Sequence, residues 1–256
     1  MKSPSKKSYL INVLLFLTTL GIAQNPVEKE GWTLTFNDEF NDTILDKTKW
    51  QTSFYWGGRN YENDIVYYGE NQFEFSDSSL LIKAEKKEEK SGIPYTSGLI
   101  DCHFSFKQQY GYFEIRSKNP TGTGFWPAFW LVSTEQWPPE IDIFEFYTSH
   151  PNNWSTSQHW KTKGGKNKRQ TKNYKIDDDA SADFQIYAVE WTPKKITWYY
   201  NNKKFRTAKR GVKTMNFPMH IIISNAVSEM KEMNLEEAIF PNYFEIDYVR
   251  VYKRNE

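Results

Sequence analysis

From residue 32 to residue 252 the chain is written as short runs of β-branched and aromatic residues broken by turn formers. A chain so written buries itself by pairing strands. WTLTF at 32–36 and LLIKA at Leu80–Ala84 alternate. GYFEIRSK at Gly111–Lys118 places Tyr112, Glu114, Arg116 and Lys118 on one face, and Phe113, Ile115 and Ser117 on the other. FQIYAVEW at 184–191, ITWYY at Ile196–Tyr200, HIIIS at 220–224 and FEIDYVRVY at 244–252 read as further strands. Asn201-Asn202, between ITWYY and KKFRT, is a two-residue hairpin turn, because asparagine tolerates positive φ. Residues 230–239 (MKEMNLEEAI) read as a short helix. The pattern predicts an all-β fold, a two-sheet β-sandwich or jelly roll with one face open as a cleft. With no repeat and no linker, residues 24–256 read as a single domain.

The first 23 residues read as a secretory signal. Lys2, Lys6 and Lys7 form a positive start, residues 10–20 are an apolar run interrupted by Asn12, Thr18 and Thr19 and too short to span a bilayer, and Gly21-Ile22-Ala23 offers small residues for cleavage. Cleavage there leaves 233 of the 256 residues, with 30 basic and 32 acidic side chains. That balance argues against a nucleic-acid binder. No later stretch reaches membrane length. The expectation is a secreted protein, periplasmic or extracellular, whose lone cysteine, Cys102, is a buried and inert thiol. Aromatic residues make up 17% of the chain, more than a core of this size normally needs, and sugar rings stacking in a glycan cleft would use the surplus. Residues 161–175 hold seven basic side chains and no acid around Gly164-Gly165, and read as a solvated basic loop.

Chemistry concentrates in the run Glu140-Ile141-Asp142-Ile143-Phe144-Glu145. Strand alternation sends Glu140 and Asp142 to one face and Ile141 and Ile143 to the other. Glu145, five residues after Glu140, would leave that face in an unbroken strand. A β-bulge at Ile143-Phe144 absorbs one residue and returns it. Three carboxylates crowded on one face raise at least one pKa. Paired carboxyls are the machinery of glycoside hydrolysis; an outer strand bearing ordinary salt bridges is the structural alternative.

EIDIFE resembles the bulged signature of glycoside hydrolase family 16, the laminarinase, lichenase, agarase and carrageenase family. GWTLTFNDEFN at 31–41, YTSGLI at 95–100, YGYFEIRSK at 110–118, TGTGFWPAFWLVS at 121–133, EWTPKKITWYYNNKKF, SNAVSE and FEIDYVRVYK resemble the rest of the family in its order. The resemblance implies a concanavalin A-like jelly roll with a substrate groove on its concave face. It implies Glu140 as nucleophile, Glu145 as general acid and base, and Asp142 between them, sharing a hydrogen bond with one of the two. It also implies groove positions for Trp126, Trp130 and His159, and rim contacts from Asn60, Glu62 and Asn225, with Trp56, Tyr61 and Asn63 nearby. Glu114 and Arg116 are candidates for a pair in the groove floor. A structural calcium ion on Glu39 and Asp247 is a further implication, with no cofactor for catalysis. Two departures stand out: Pro139 replaces the glycine usual before the first catalytic Glu, and Ser228-Glu229 replaces a Gly-Gly pair.

GFWPAFW resembles the β-glucan-cleaving members of the family more than its agarases and carrageenases, which implies a β-1,3-glucan or mixed-linkage β-1,3-1,4-glucan as substrate. The basic run at 161–175 keeps a sulfated galactan (porphyran, agar or carrageenan type) as an alternative. A non-catalytic glycan-binding module, a polyanion binder and a transglycosylase are the competing classes. A monomer is expected for a groove acting on polymers.

Overall fold

The computed structural model describes residues 28–256 except Asn63, Asp77, Ser91, Asp178, Lys231 and Glu232; the leader at 1–23 lies outside the described residues. The strands in chain order are β1 (Trp32–Asp38), β2 (Val66–Tyr68), β3 (Phe73–Phe75), β4 (Leu80–Ala84), β5 (Tyr95–Ser97), β6 (Leu99–Asp101), β7 (Gly111–Lys118) and β8 (Phe125–Val132). They continue with β9 (Glu140–Phe146), β10 (Asn153–Lys161), β11 (Asn167–Lys175), β12 (Gln185–Trp191), β13 (Ile196–Tyr200), β14 (Lys203–Ala208), β15 (His220–Val227) and β16 (Asn242–Arg254). One sheet runs β14-β13-β12-β7-β16-β4-β3, with β1 also paired to β16; the other runs β11-β10-β9-β8-β15-β6. The chain passes from the larger sheet at β7 to the smaller at β8 and returns twice, a sandwich of non-sequential neighbours.

The apolar residues read from the alternation meet between the sheets. Phe113, Ile115, Tyr187, Val189 and Trp198 of the larger sheet face Phe129, Leu131, Ile141, Phe144 and Ile223 of the smaller, all fully buried. Aromatic rings fill much of this space: Phe144 lies 4.5 Å from Tyr187, and Phe146 stacks on Trp154 at 5.8 Å. Five tryptophans (50, 154, 160, 191 and 198) are buried, so much of the aromatic surplus serves packing rather than sugar binding. Cys102 is buried as expected, accepting the Ile221 N–H at 3.3 Å, and burial pushes its thiol pKa up.

Asn201 and Asn202 both have positive φ (45° and 64°), as a tight hairpin turn requires. Two other expectations fail. Residues 161–175 are not a loop: they are the end of β10, a turn in which Gly165 takes φ 79°, and the whole edge strand β11. The described part of 230–239 is not helical. Asn234 accepts the Glu236 N–H on its own side chain, a local bond that competes with helix, while buried Met233 and half-buried Leu235 tie the segment to the sandwich. Lys231 and Glu232 of that segment lie outside the described residues. No helix among the described residues is long and apolar enough to cross a membrane.

Candidate active site

The bulge stands at the expected place. On β8, Phe129 pairs with Phe144 and Trp130 with Asp142; on β10, Ser155 pairs with Glu145 and Ser157 with Asp142, so Ile143 and Thr156 are passed over in the two ladders. Ile143 and Phe144 both point into the core, and Glu145 returns to the face of Glu140 and Asp142. A bulge locally disrupts the ladder. The larger sheet sends side-chain donors to two backbone carbonyls beside it. Trp198 Nε1 donates to the Asp142 carbonyl at 3.1 Å, and Arg206 Nη1 to the Thr156 carbonyl at 2.7 Å. The Arg206 guanidinium lies over the Trp198 ring at 4.0 Å, so the two donors brace each other. Trp198→Phe strands a buried carbonyl and is expected to cost about 1–3 kcal/mol in urea unfolding; an unchanged midpoint would contradict this role.

The three carboxylates line a groove of about 560 Å³ on the outer face of the smaller sheet, together with Trp126, Ala128 and Trp130 of β8 and Ser224 and Ala226 of β15. Phe54, Tyr61, Val66 and Tyr68 wall one side. Glu140 accepts from Trp137 Nε1 at 2.7 Å, and His159 Nε2 stands 3.2 Å from its other oxygen. The same nitrogen is 3.4 Å from Asp142. Carboxylate oxygens of Asp142 and Glu140 lie within 4.8 Å of each other. Among the described residues, Glu145 receives the hydroxyls of Ser155 and Ser157, each at 3.3 Å. Burial, then the charge of Asp142, pushes Glu140 and Glu145 well above the ordinary carboxylate range; burial raises Asp142 as well and lowers His159. Glu140, Asp142 and His159 each offer one ligand atom within 4.8 Å of the others, and are the group among the described residues that could hold a metal ion.

Residues 59–249 match the family model of glycosyl hydrolases family 16. The chain belongs to family 16. Endo-1,3-1,4-beta-glycanase EglC of Rhizobium meliloti is 30% identical over 249 residues, covering 88% of this chain and 53% of its own. This chain therefore spans about half the length of that relative. The beta-glucanase of Rhodothermus marinus is 29% identical over 284 residues, covering 98% of this chain and 96% of its own. The laminarinase catalytic domain of Thermotoga maritima superposes with a TM-score of 0.75 at 25% identity, covering 89% of this chain and all of that one.

Of the positions that the family 16 resemblance implied, the structure gathers Glu140, Asp142, Glu145, Trp126, Trp130 and His159. Others lie elsewhere. Asn225 is fully buried and faces the opposite sheet, donating to the Ile82 carbonyl at 3.1 Å; its neighbours Ser224 and Ala226 take the groove face. Asn60 turns back to the Tyr61 carbonyl and Glu62 is exposed, while Tyr61 between them lines the groove; Asn63 lies outside the described residues. Glu114 and Arg116 belong to the larger sheet, away from the groove, where they bind Tyr248 and Asp247. Glu39 and Asp247 do not fit a calcium site. Arg250 holds both oxygens of Glu39 at 3.0 and 2.7 Å, and Arg116 holds Asp247 at 2.5 Å, so both carboxylates are committed to guanidinium groups. Sequence reasoning missed Trp137, Phe54, Tyr68 and Met230. Trp137 alone had a signal, three residues before Glu140 in the same turn.

Proposed function

We propose that this protein is a secreted, monomeric, retaining endo-hydrolase of a β-glucan, β-1,3-linked or mixed β-1,3-1,4-linked. The observation that carries this reading is the trio of carboxylates on one face of an aromatic-lined groove, in a chain whose relatives include an endo-1,3-1,4-beta-glycanase and a beta-glucanase. The hydrogen bonds divide the labour. Glu140, with an indole N–H and an imidazole beside it, is the carboxyl better stabilised as an anion, and attacks the anomeric carbon. Glu145, with two long hydroxyl contacts and the charge of Asp142 against it, keeps its proton and delivers it to the departing glycosidic oxygen. Once Glu140 is esterified its negative charge is gone from the cluster. Deprotonated Glu145 is then less disfavoured and takes a proton from the water that attacks the glycosyl ester. Trp126 and Trp130 offer flat faces for sugars on either side of the cleaved bond.

Reducing-end release from laminarin and mixed-linkage glucan, measured against agarose, porphyran and carrageenan, tests the reading. Turnover of the glucans is the expected result; turnover of the galactans alone would overturn the substrate assignment. The Trp137 bond holds the Glu140 pKa down. Trp137→Phe is therefore expected to move the acidic limb of the kcat/KM–pH profile to higher pH. A limb that stays in place would sink the nucleophile assignment for Glu140.

A further inference from the structure

The edge strand β11 carries a charge that the proposed reaction does not use. Its register with β10 pairs Asn167 with Lys161, Arg169 with His159, Thr171 with Ser157, Asn173 with Ser155 and Lys175 with Asn153. On β10, His159, Ser157 and Ser155 touch the catalytic carboxylates, so alternation puts Arg169, Thr171 and Asn173 on the groove face. The other face of β11 confirms the parity. Tyr174 packs on Phe205 at 4.6 Å and on buried Trp154 at 6.3 Å. Lysines on an edge strand are a common guard against edge-to-edge pairing, which accounts for Lys168 and Lys172 on that side. It does not account for Arg169. Arg169 is exposed and lies two strands from Glu140 across His159, about 10 Å away at the usual strand spacing. The groove faces of β10 and β11 hold no carboxylate, and the Ser157 hydroxyl continues the polar row to Thr171 at 2.9 Å. Arg169 stands directly opposite His159 in this register, so its side chain leaves the sheet on the same face as the imidazole.

We propose that Arg169 is a specificity-determining residue that binds an anionic substituent, a carboxylate or a sulfate ester, on a sugar lying in the groove on the β10–β11 side of the cleaved bond. The planar guanidinium fork matches both anions, whereas a neutral sugar gives it little to bind. Thr171 and Asn173, exposed beside it in the same row, supply hydroxyl and amide donors to the same sugar. The inference rests on the reading of the groove as a glycan site and names a substrate class within it, acidic as well as neutral β-glucan.

Laminarin, carboxymethyl-laminarin and sulfated laminarin, compared with wild type, Arg169→Gln and Lys172→Gln, provide the test. Arg169→Gln is expected to lose about tenfold in kcat/KM on the charged polymers relative to laminarin, through KM, and Lys172→Gln less than about twofold. The contrast is expected to shrink at about 0.5 M NaCl. The carboxymethyl and sulfated arms show which anion is preferred. Equal losses on all three polymers, with a shifted pH profile, would make Arg169 a tuner of the carboxylates and overturn the proposal; so would no loss on any. Calorimetry with Glu140→Gln proteins, with and without Arg169→Gln, reads binding independently of turnover. Arg169-dependent affinity for charged laminarin, together with no hydrolysis of any of the three polymers by wild type, would refute the hydrolase reading and uphold the subsite. Affinity independent of Arg169 would refute the subsite whether or not the glucans are cut.

Discussion

Glu140→Ala is expected to lower kcat on laminarin by about 10⁴-fold or more, with the fold intact, and added azide is expected to restore turnover as an α-glycosyl azide. The small anion enters the space left by the carboxylate and attacks the same face of the sugar. With no covalent intermediate to displace, its product keeps the inverted configuration. Glu145→Ala is expected to lose about 10²–10⁴-fold, the range of general acid catalysis, and to lose least on substrates whose leaving group needs no proton. Azide then intercepts the glycosyl ester on Glu140 and yields the β-azide. The two azide products separate the roles, which activity loss alone does not. The hydrogen bonds from Trp137 and His159 to Glu140, against two long hydroxyl contacts to Glu145, are the structural basis for this direction. The opposite pair of azides would exchange the assignments.

The second large effect concerns stability. Glu140, Asp142 and Glu145 have pKa values raised in the folded protein, first by burial and then, for the two glutamates, by the charge of Asp142. Where the native pKa lies above the unfolded one, the native state binds more protons between the two values, so stability is full below the unfolded pKa and is lost as pH rises through the folded one. The protein is therefore expected to lose on the order of 3 kcal/mol as pH rises from about 5 to about 8. The triple variant Glu140→Gln, Asp142→Asn, Glu145→Gln is expected to remove most of that slope and to melt higher than wild type at pH 8. A wild-type melting temperature that holds or climbs over this interval would mean that the carboxylates are solvated or compensated, contrary to the geometry. Such a site stores strain that its chemistry uses.

The strands and the catalytic face were legible because period-two alternation and one bulge suffice to bring Glu140, Asp142 and Glu145 together, and the Asn201-Asn202 turn was legible because few residues accept positive φ. Asn225 could have been placed correctly: it shares parity with the core residues Ile221 and Ile223, whereas Ser224 and Ala226 take the groove. Glu114 and Arg116 have the right parity on the wrong sheet, and no local pattern says which sheet a strand will join. In the segment around Asn60, Tyr61 and Glu62 there is no period at all, so which side chain turns to the groove is decided by contacts with Phe54 and Trp56, distant from any strand rule. The Trp198–Arg206 brace beneath the bulge is likewise a contact between sheets; the sequence shows an alternating hairpin there and nothing of its partner. The basic run at 161–175 misled because Gly164-Gly165 marks a turn inside a hairpin as readily as a loop.

The anomeric configuration of the first product tests the central claim most directly. Proton NMR of the new reducing end, recorded within the first minutes of laminarin hydrolysis and before mutarotation, is predicted to show the β-anomer alone, the outcome of two successive displacements through Glu140. An α-anomer formed first would mean a single displacement by water and would contradict the covalent role given to Glu140.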